Sequence, residues 1–163
     1  MVGWNEQLPV LARDHSVYVV DLPGQGYTQL HDRRFGWNLA TMTGAIGTFM
    51  DAVGVRRAAL AGNSWSGWAP LTFHDNLRAN YPLERGLHWS ETQRTLPATH
   101  IPTLVPWGRQ DKIVPVWQAD RLGRLLPDAR VRVLDDGGHA PQLDCPQQVN
   151  PLLTDFLRDR RGP

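Results

Sequence analysis

The chain is poor in the features that would give it an easy classification. It has a single cysteine, Cys145, among 163 residues, which excludes an internal disulfide and fits a reducing compartment. Basic and acidic side chains nearly cancel, 17 against 16, for a net charge of +1. There is no electrostatic basis for a nucleic-acid or membrane partner. No run of residues approaches the roughly 20 apolar positions of a membrane span. Met1 to Ala12 lacks the basic start and apolar centre of a signal peptide, so a cytoplasmic protein is expected. The histidines His15, His31, His74, His88 and His100 are scattered without metal-ligand spacing. Repeats, low-complexity segments and linkers are also missing. What remains is a soluble globular chain expected to form one domain over residues 1–163, long enough to bury a core.

The most informative segment present is Gly62-Asn63-Ser64-Trp65-Ser66-Gly67. It lies between an apolar run, Ala58 to Ala61, and a helix expected from about Trp65 to Tyr81. That is the setting of a nucleophile elbow, a turn so sharp that its central residue is strained and its neighbours two positions away must be small. Gly62 and Ser66 are those neighbours. Two further loops follow strand-like runs: Gly108-Arg109-Gln110-Asp111-Lys112-Ile113-Val114-Pro115, and Asp135-Asp136-Gly137-Gly138-His139-Ala140-Pro141. The order is therefore Ser64, Asp111, His139. A serine hydroxyl needs an imidazole to take its proton and a carboxylate to orient that imidazole. Asp135 and Asp136 lie closer to His139 in sequence and stand as alternative orienting groups. Ser64 also suits a helix N-cap, and Trp65 suits ordinary core packing.

Alternating elements argue for parallel strands with crossover helices. Helices are expected at Trp4–Ala12, Leu39–Val53, Ser64–Tyr81 and Trp117–Leu126, with a closing amphipathic segment at Gln147–Arg160. Strands are expected at Val17–Asp21, Arg57–Ala61, Arg85–Trp89, Pro102–Trp107 and Val131–Leu134. Asp21 reads as a turn-forming residue, and Gly24-Gln25-Gly26 lacks the third glycine of a dinucleotide site. Cys145 reads as a small buried filler, with no second thiol or adjacent base to activate it.

Five motifs in order resemble the α/β-hydrolase family over nearly the whole chain: the Asp21-Leu22-Pro23-Gly24-Gln25-Gly26-Tyr27-Thr28 turn, the Ser64 elbow, the Asp111 turn, the His139 loop with Asp144 and Pro146 after it, and the closing segment. The resemblance implies an α/β fold, a mostly parallel sheet with helices on both faces. It implies a serine hydrolase with Ser64 as nucleophile, His139 as general base and Asp111 as its orienting acid. The backbone amide of Trp65 would face the oxyanion. The expected substrate is a small ester-like molecule, and no metal or organic cofactor is implied. The wording Gly62-Asn63-Ser64-x-x-Gly67 also resembles that of hydrolases that split carbon–carbon bonds in ring-cleavage products.

Against the family pattern the chain looks N-terminally truncated. The first three strands are missing, and nothing before Asp21 resembles the His-Gly loop that supplies the second oxyanion amide. Losing one such donor costs on the order of 100- to 1000-fold in rate. The 47 residues from Ser64 to Asp111 leave only about Ser90 to His100 for a cap. A catalytically impaired remnant that serves as a binding module is the reading these departures favour.

Overall fold

In a computed structural model, residues 2–24, 26–29, 36, 39–64, 94 and 96–159 are described. The chain divides into two compact units, one of Met1–Val2 with Val19–His88, the other of Gly3–Tyr18 with Trp89–Pro163.

The second unit is built on a βαβ module. Strand β1 (Thr103–Gly108) and strand β2 (Ala129–Leu134) pair in parallel from Thr103↔Ala129 to Gly108↔Leu134. Parallel neighbours cannot be joined by a tight turn, and the connection here is a helix, Trp117–Leu125. The expected strands at Pro102–Trp107 and Val131–Leu134 and the helix at Trp117–Leu126 are thus present, with ends shifted by one or two residues.

Successive strand residues point to opposite faces, and β2 shows what each face meets. A Cβ on Gly123 of the Trp117–Leu125 helix would lie 2.7 Å from Val131 Cγ2, so that helix lies against the Val131 face. On the other face the Arg130 guanidinium stands 5.9 Å from the centre of the Phe156 ring, within the closing helix Pro146–Arg158. Leu134, on that same face, forms a core with Cys145 and Val149, backed by Leu152 and Leu153. Helices therefore cover both faces, as the α/β class requires. Cys145 is fully buried, and burial beside Asp144 and Asp136 raises its pKa, which fits the filler role.

Two strand expectations need correction. Val17–Asp21 and Arg57–Ala61 are described without strand pairing, and Tyr18, Val20 and Leu60 are exposed. Both segments have strand-like composition, but a strand exists only as part of a ladder, and neither segment is assigned to one among the described residues. The expected helix at Trp4–Ala12 is also shorter, Leu8–Leu11, after a 3-10 turn at Val2–Trp4. Pro9 has no N–H to donate and is tolerated only in a helix's first turn, so the helix starts just ahead of it. The expected helix Ser64–Tyr81 beyond Ser64, the strand Arg85–Trp89, and residues 90–93 and 95 of the Ser90–His100 segment lie outside the described residues.

In the first unit, helix Leu39–Ala52 matches the expected Leu39–Val53. It stops at Gly54, whose φ of +70° allows Val55 N–H to bond back to the Met50 carbonyl at 2.8 Å. Asp21 forms the expected turn: its Oδ2 accepts the Tyr27 amide and its carbonyl accepts the Thr28 hydroxyl. Gly26 is at φ +53°, and a Cβ there would strike the Asp21 carboxylate.

A buried amide ties the Gly3–Tyr18 segment to the rest of the second unit. Gln7, 1% exposed, donates from Nε2 to the Gln142 carbonyl at 2.8 Å and to Asn150 Oδ1 at 2.9 Å. Asn150 Nδ2 in turn donates to the Glu6 carbonyl. Gln7→Leu strands two acceptors while removing Gln7 Oε1, which has no partner among the described residues. The expected loss is about 1–2 kcal/mol, the lower part of the range for orphaned buried polar groups. Urea unfolding checks it, and an unchanged midpoint contradicts the assignment.

Candidate active site

The loops leaving the carboxyl ends of β1 and β2 meet, the usual place for a ligand site in an open α/β sheet. Their approach is set by glycine. A Cβ on Gly108 would come 2.1 Å from the Gly138 carbonyl oxygen and 2.2 Å from that of Gly137, so the two backbones touch directly. Arg109 N–H donates to the Leu134 carbonyl at 2.8 Å and Gln110 N–H to that of Gly137 at 2.9 Å. Trp107 Nε1 reaches the Val114 carbonyl at 3.3 Å, which folds the Gly108–Pro115 turn back on its strand.

This contact brings together two of the residues singled out from the sequence. His139 Nδ1 lies 2.9 Å from Asp111 Oδ2. The other carboxylate oxygen, Oδ1, accepts the Ile113 and Val114 amides at 2.8 Å each. The Asp111 side chain is 4% exposed and that of His139 21%. Burial alone would raise the Asp111 pKa. Hydrogen bonds from Val114, His139 and Ile113, together with the attraction of the imidazole, outweigh it and hold the pKa below its ordinary 3.8. Asp111 is therefore a carboxylate, which only accepts, so Nδ1 must carry the shared proton. Nε2 of the neutral ring is then the basic nitrogen.

The alternative orienting groups are engaged elsewhere. Asp135 pairs with Arg109 and accepts Gln110 Nε2 at its carbonyl, and Asp136 accepts Gln148 Nε2. Neither is the partner of His139 Nδ1.

Ser64 belongs to the other unit. It is the one non-glycine residue with positive φ among the described residues, at +42°, and it is exposed. A non-glycine residue in that region costs on the order of 1–3 kcal/mol, and such strain gathers at functional positions. The backbone thus has the conformation expected of an elbow. Trp65, the expected oxyanion donor, lies outside the described residues. No group of His, Cys, Asp and Glu able to hold a metal occurs among the described residues, and none of their helices is long and apolar enough to cross a membrane. Sequence reasoning missed the close approach at Gly108; the signal was a strand-ending glycine facing the Gly137-Gly138 pair.

The family described as alpha/beta hydrolase fold matches residues 69–146, a stretch that includes Asp111 and His139. Protein ABHD8 of Homo sapiens is 37% identical over 73 residues, 44% of this chain and 17% of the relative. Monoacylglycerol lipase ABHD6 of Rattus norvegicus is 33% identical over 63 residues, 39% of this chain and 19% of the relative. The matches thus span less than a fifth of these relatives' length. A meta-cleavage product hydrolase from Pseudomonas fluorescens IP01 superposes with a TM-score of 0.76 at 16% identity, covering 97% of this chain and 85% of its own.

Two outcomes test this geometry. Gly108→Ala must push the two loops apart, so the Asp111–His139 bond and its low-field Nδ1 proton resonance should be lost; a retained signal contradicts the contact. The second concerns acid. Because the Asp111 pKa is lowered on folding, its stabilisation is complete above 3.8 and is lost as pH falls through the lower folded value. The stability gap between wild type and Asp111→Asn should therefore narrow from pH 7 to pH 2 in urea titrations, and a constant gap contradicts it.

Proposed function

We propose that this chain, which resembles the alpha/beta hydrolase fold family over residues 69–146, is a serine hydrolase that cleaves a carboxylic ester of a small molecule through Ser64, His139 and Asp111. The observation that carries the reading is the buried Asp111 carboxylate on His139 Nδ1, joined by the positive φ of Ser64. Ser64 Oγ attacks the ester carbonyl carbon while His139 Nε2 takes its proton. Asp111 holds the ring and stabilises its charged form. The Trp65 amide donates to the oxyanion. His139 then returns the proton to the departing alcohol. A water molecule, deprotonated by the same nitrogen, attacks the acyl-enzyme and releases the acid and Ser64.

The name of the ABHD6 relative, a monoacylglycerol lipase, supports ester chemistry. Carbon–carbon bond hydrolysis is the second reading, favoured by the Gly62-Asn63-Ser64-x-x-Gly67 wording and by the superposition on a meta-cleavage product hydrolase.

A fluorophosphonate probe should label the purified chain, and labelling should vanish in Ser64→Ala and after heating. Asp111→Asn should slow it by roughly 10³- to 10⁴-fold, because an amide in that place favours the wrong tautomer. A folded chain that never labels contradicts catalysis and leaves the fold as a binding module.

A further inference from the structure

The His139 loop is built from the most permissive backbone in the chain. After β2 ends at Leu134, Asp135-Asp136-Gly137-Gly138 leads to the imidazole, and two adjacent glycines fix little by themselves. Gly137 is held by packing: a Cβ there would lie 3.1 Å from both Gly108 Cα and Pro141 Cβ and 3.3 Å from Cys145 Sγ. The Gly137–Gly138 peptide, one before the peptide that joins His139, is held differently. Gly138 N–H donates to Asp144 Oδ2 at 2.9 Å, and a Cβ at Gly138 would approach that same oxygen to 3.0 Å.

Asp144 is itself well placed to act as an anchor. It ends the short helix Pro141–Asp144, and its own amide bonds back to the Ala140 carbonyl at 3.0 Å. The next residue, Cys145, is fully buried and donates its amide to the Pro141 carbonyl at 2.9 Å. The segment from Gly138 to Asp144 therefore closes on itself with its far end anchored in the core.

We propose that Asp144 is a positioning residue for His139: by accepting the Gly138 N–H it fixes the Gly137–Gly138 peptide, one peptide ahead of the imidazole, and so sets the ring on Asp111. The proposal rests on the reading of His139 as the general base. Its role is that of a hydrogen-bond acceptor, so a neutral amide oxygen serves in place of the carboxylate.

The test compares Asp144→Ala with Asp144→Asn in the full chain. Asp144→Ala should slow fluorophosphonate labelling of Ser64 by about 10- to 100-fold, as expected for a misplaced catalytic group. Asp144→Asn should stay within about 3-fold of wild type. An Asp144→Ala that labels like wild type overturns the proposal, as does an Asp144→Asn that falls with it. Amide exchange at Gly138 and the low-field His139 Nδ1 proton provide a readout independent of activity. Both should be retained in wild type and Asp144→Asn and weakened in Asp144→Ala. If wild type does not label, the hydrolase reading fails while these signals still decide the role of Asp144. If Asp144→Ala does not fold, a wild-type Gly138 amide that exchanges at the rate of an unstructured peptide overturns the proposal.

Discussion

The backbone contact between Gly108 and the Gly137-Gly138 pair is the constraint on which the site depends. Parallel pairing brings the carboxyl ends of β1 and β2 side by side, but neighbouring strands alone leave their exit loops free to splay. With no side chain at Gly108, the loops close to direct contact, and Gln110 N–H spans them. Only then do two residues 28 positions apart share a hydrogen bond of 2.9 Å. Any side chain at position 108 would separate acid from base without touching either.

Electrostatics follow from that contact. A carboxylate that is 4% exposed would ordinarily take up a proton more readily than in water. Three donors on its two oxygens reverse the balance. The turn residues Ile113 and Val114 thus do more than shape the loop: their amides keep Asp111 charged, and a charged Asp111 dictates which nitrogen of His139 holds the proton. The local sequence Asp111-Lys112-Ile113-Val114 and the long-range pairing with His139 form one hydrogen-bonded unit.

Much of this was legible in the sequence, and the parts that were not share a cause. Asp111 and His139 were readable because each sits in a loop whose glycines and flanking strand are local signals, and the helix at Leu39–Ala52 because its end is marked by Gly54. Asp111 was preferred over Asp135 and Asp136 on the family resemblance, although those two lie closer to His139 along the chain, and His139 Nδ1 does lie 2.9 Å from Asp111 Oδ2. Val17–Asp21 and Arg57–Ala61 look like strands by composition, yet strand formation is not a local property, and neither is a strand among the described residues. Gln7 gave no signal: nothing in Glu6-Gln7-Leu8 announces that its amide is buried against Gln142 and Asn150. Pro9 did carry the signal that shortens the first helix.

The central claim is that the Asp111–His139 pair serves Ser64. The most direct measurement is the distance from Ser64 Oγ to His139 Nε2 in a crystal structure of the full chain. The account predicts hydrogen-bond reach, about 2.6–3.2 Å or slightly longer without substrate, with Oγ on the basic nitrogen. A Ser64 hydroxyl directed away from the imidazole, with Nε2 bonded to another side chain of the protein, would contradict it.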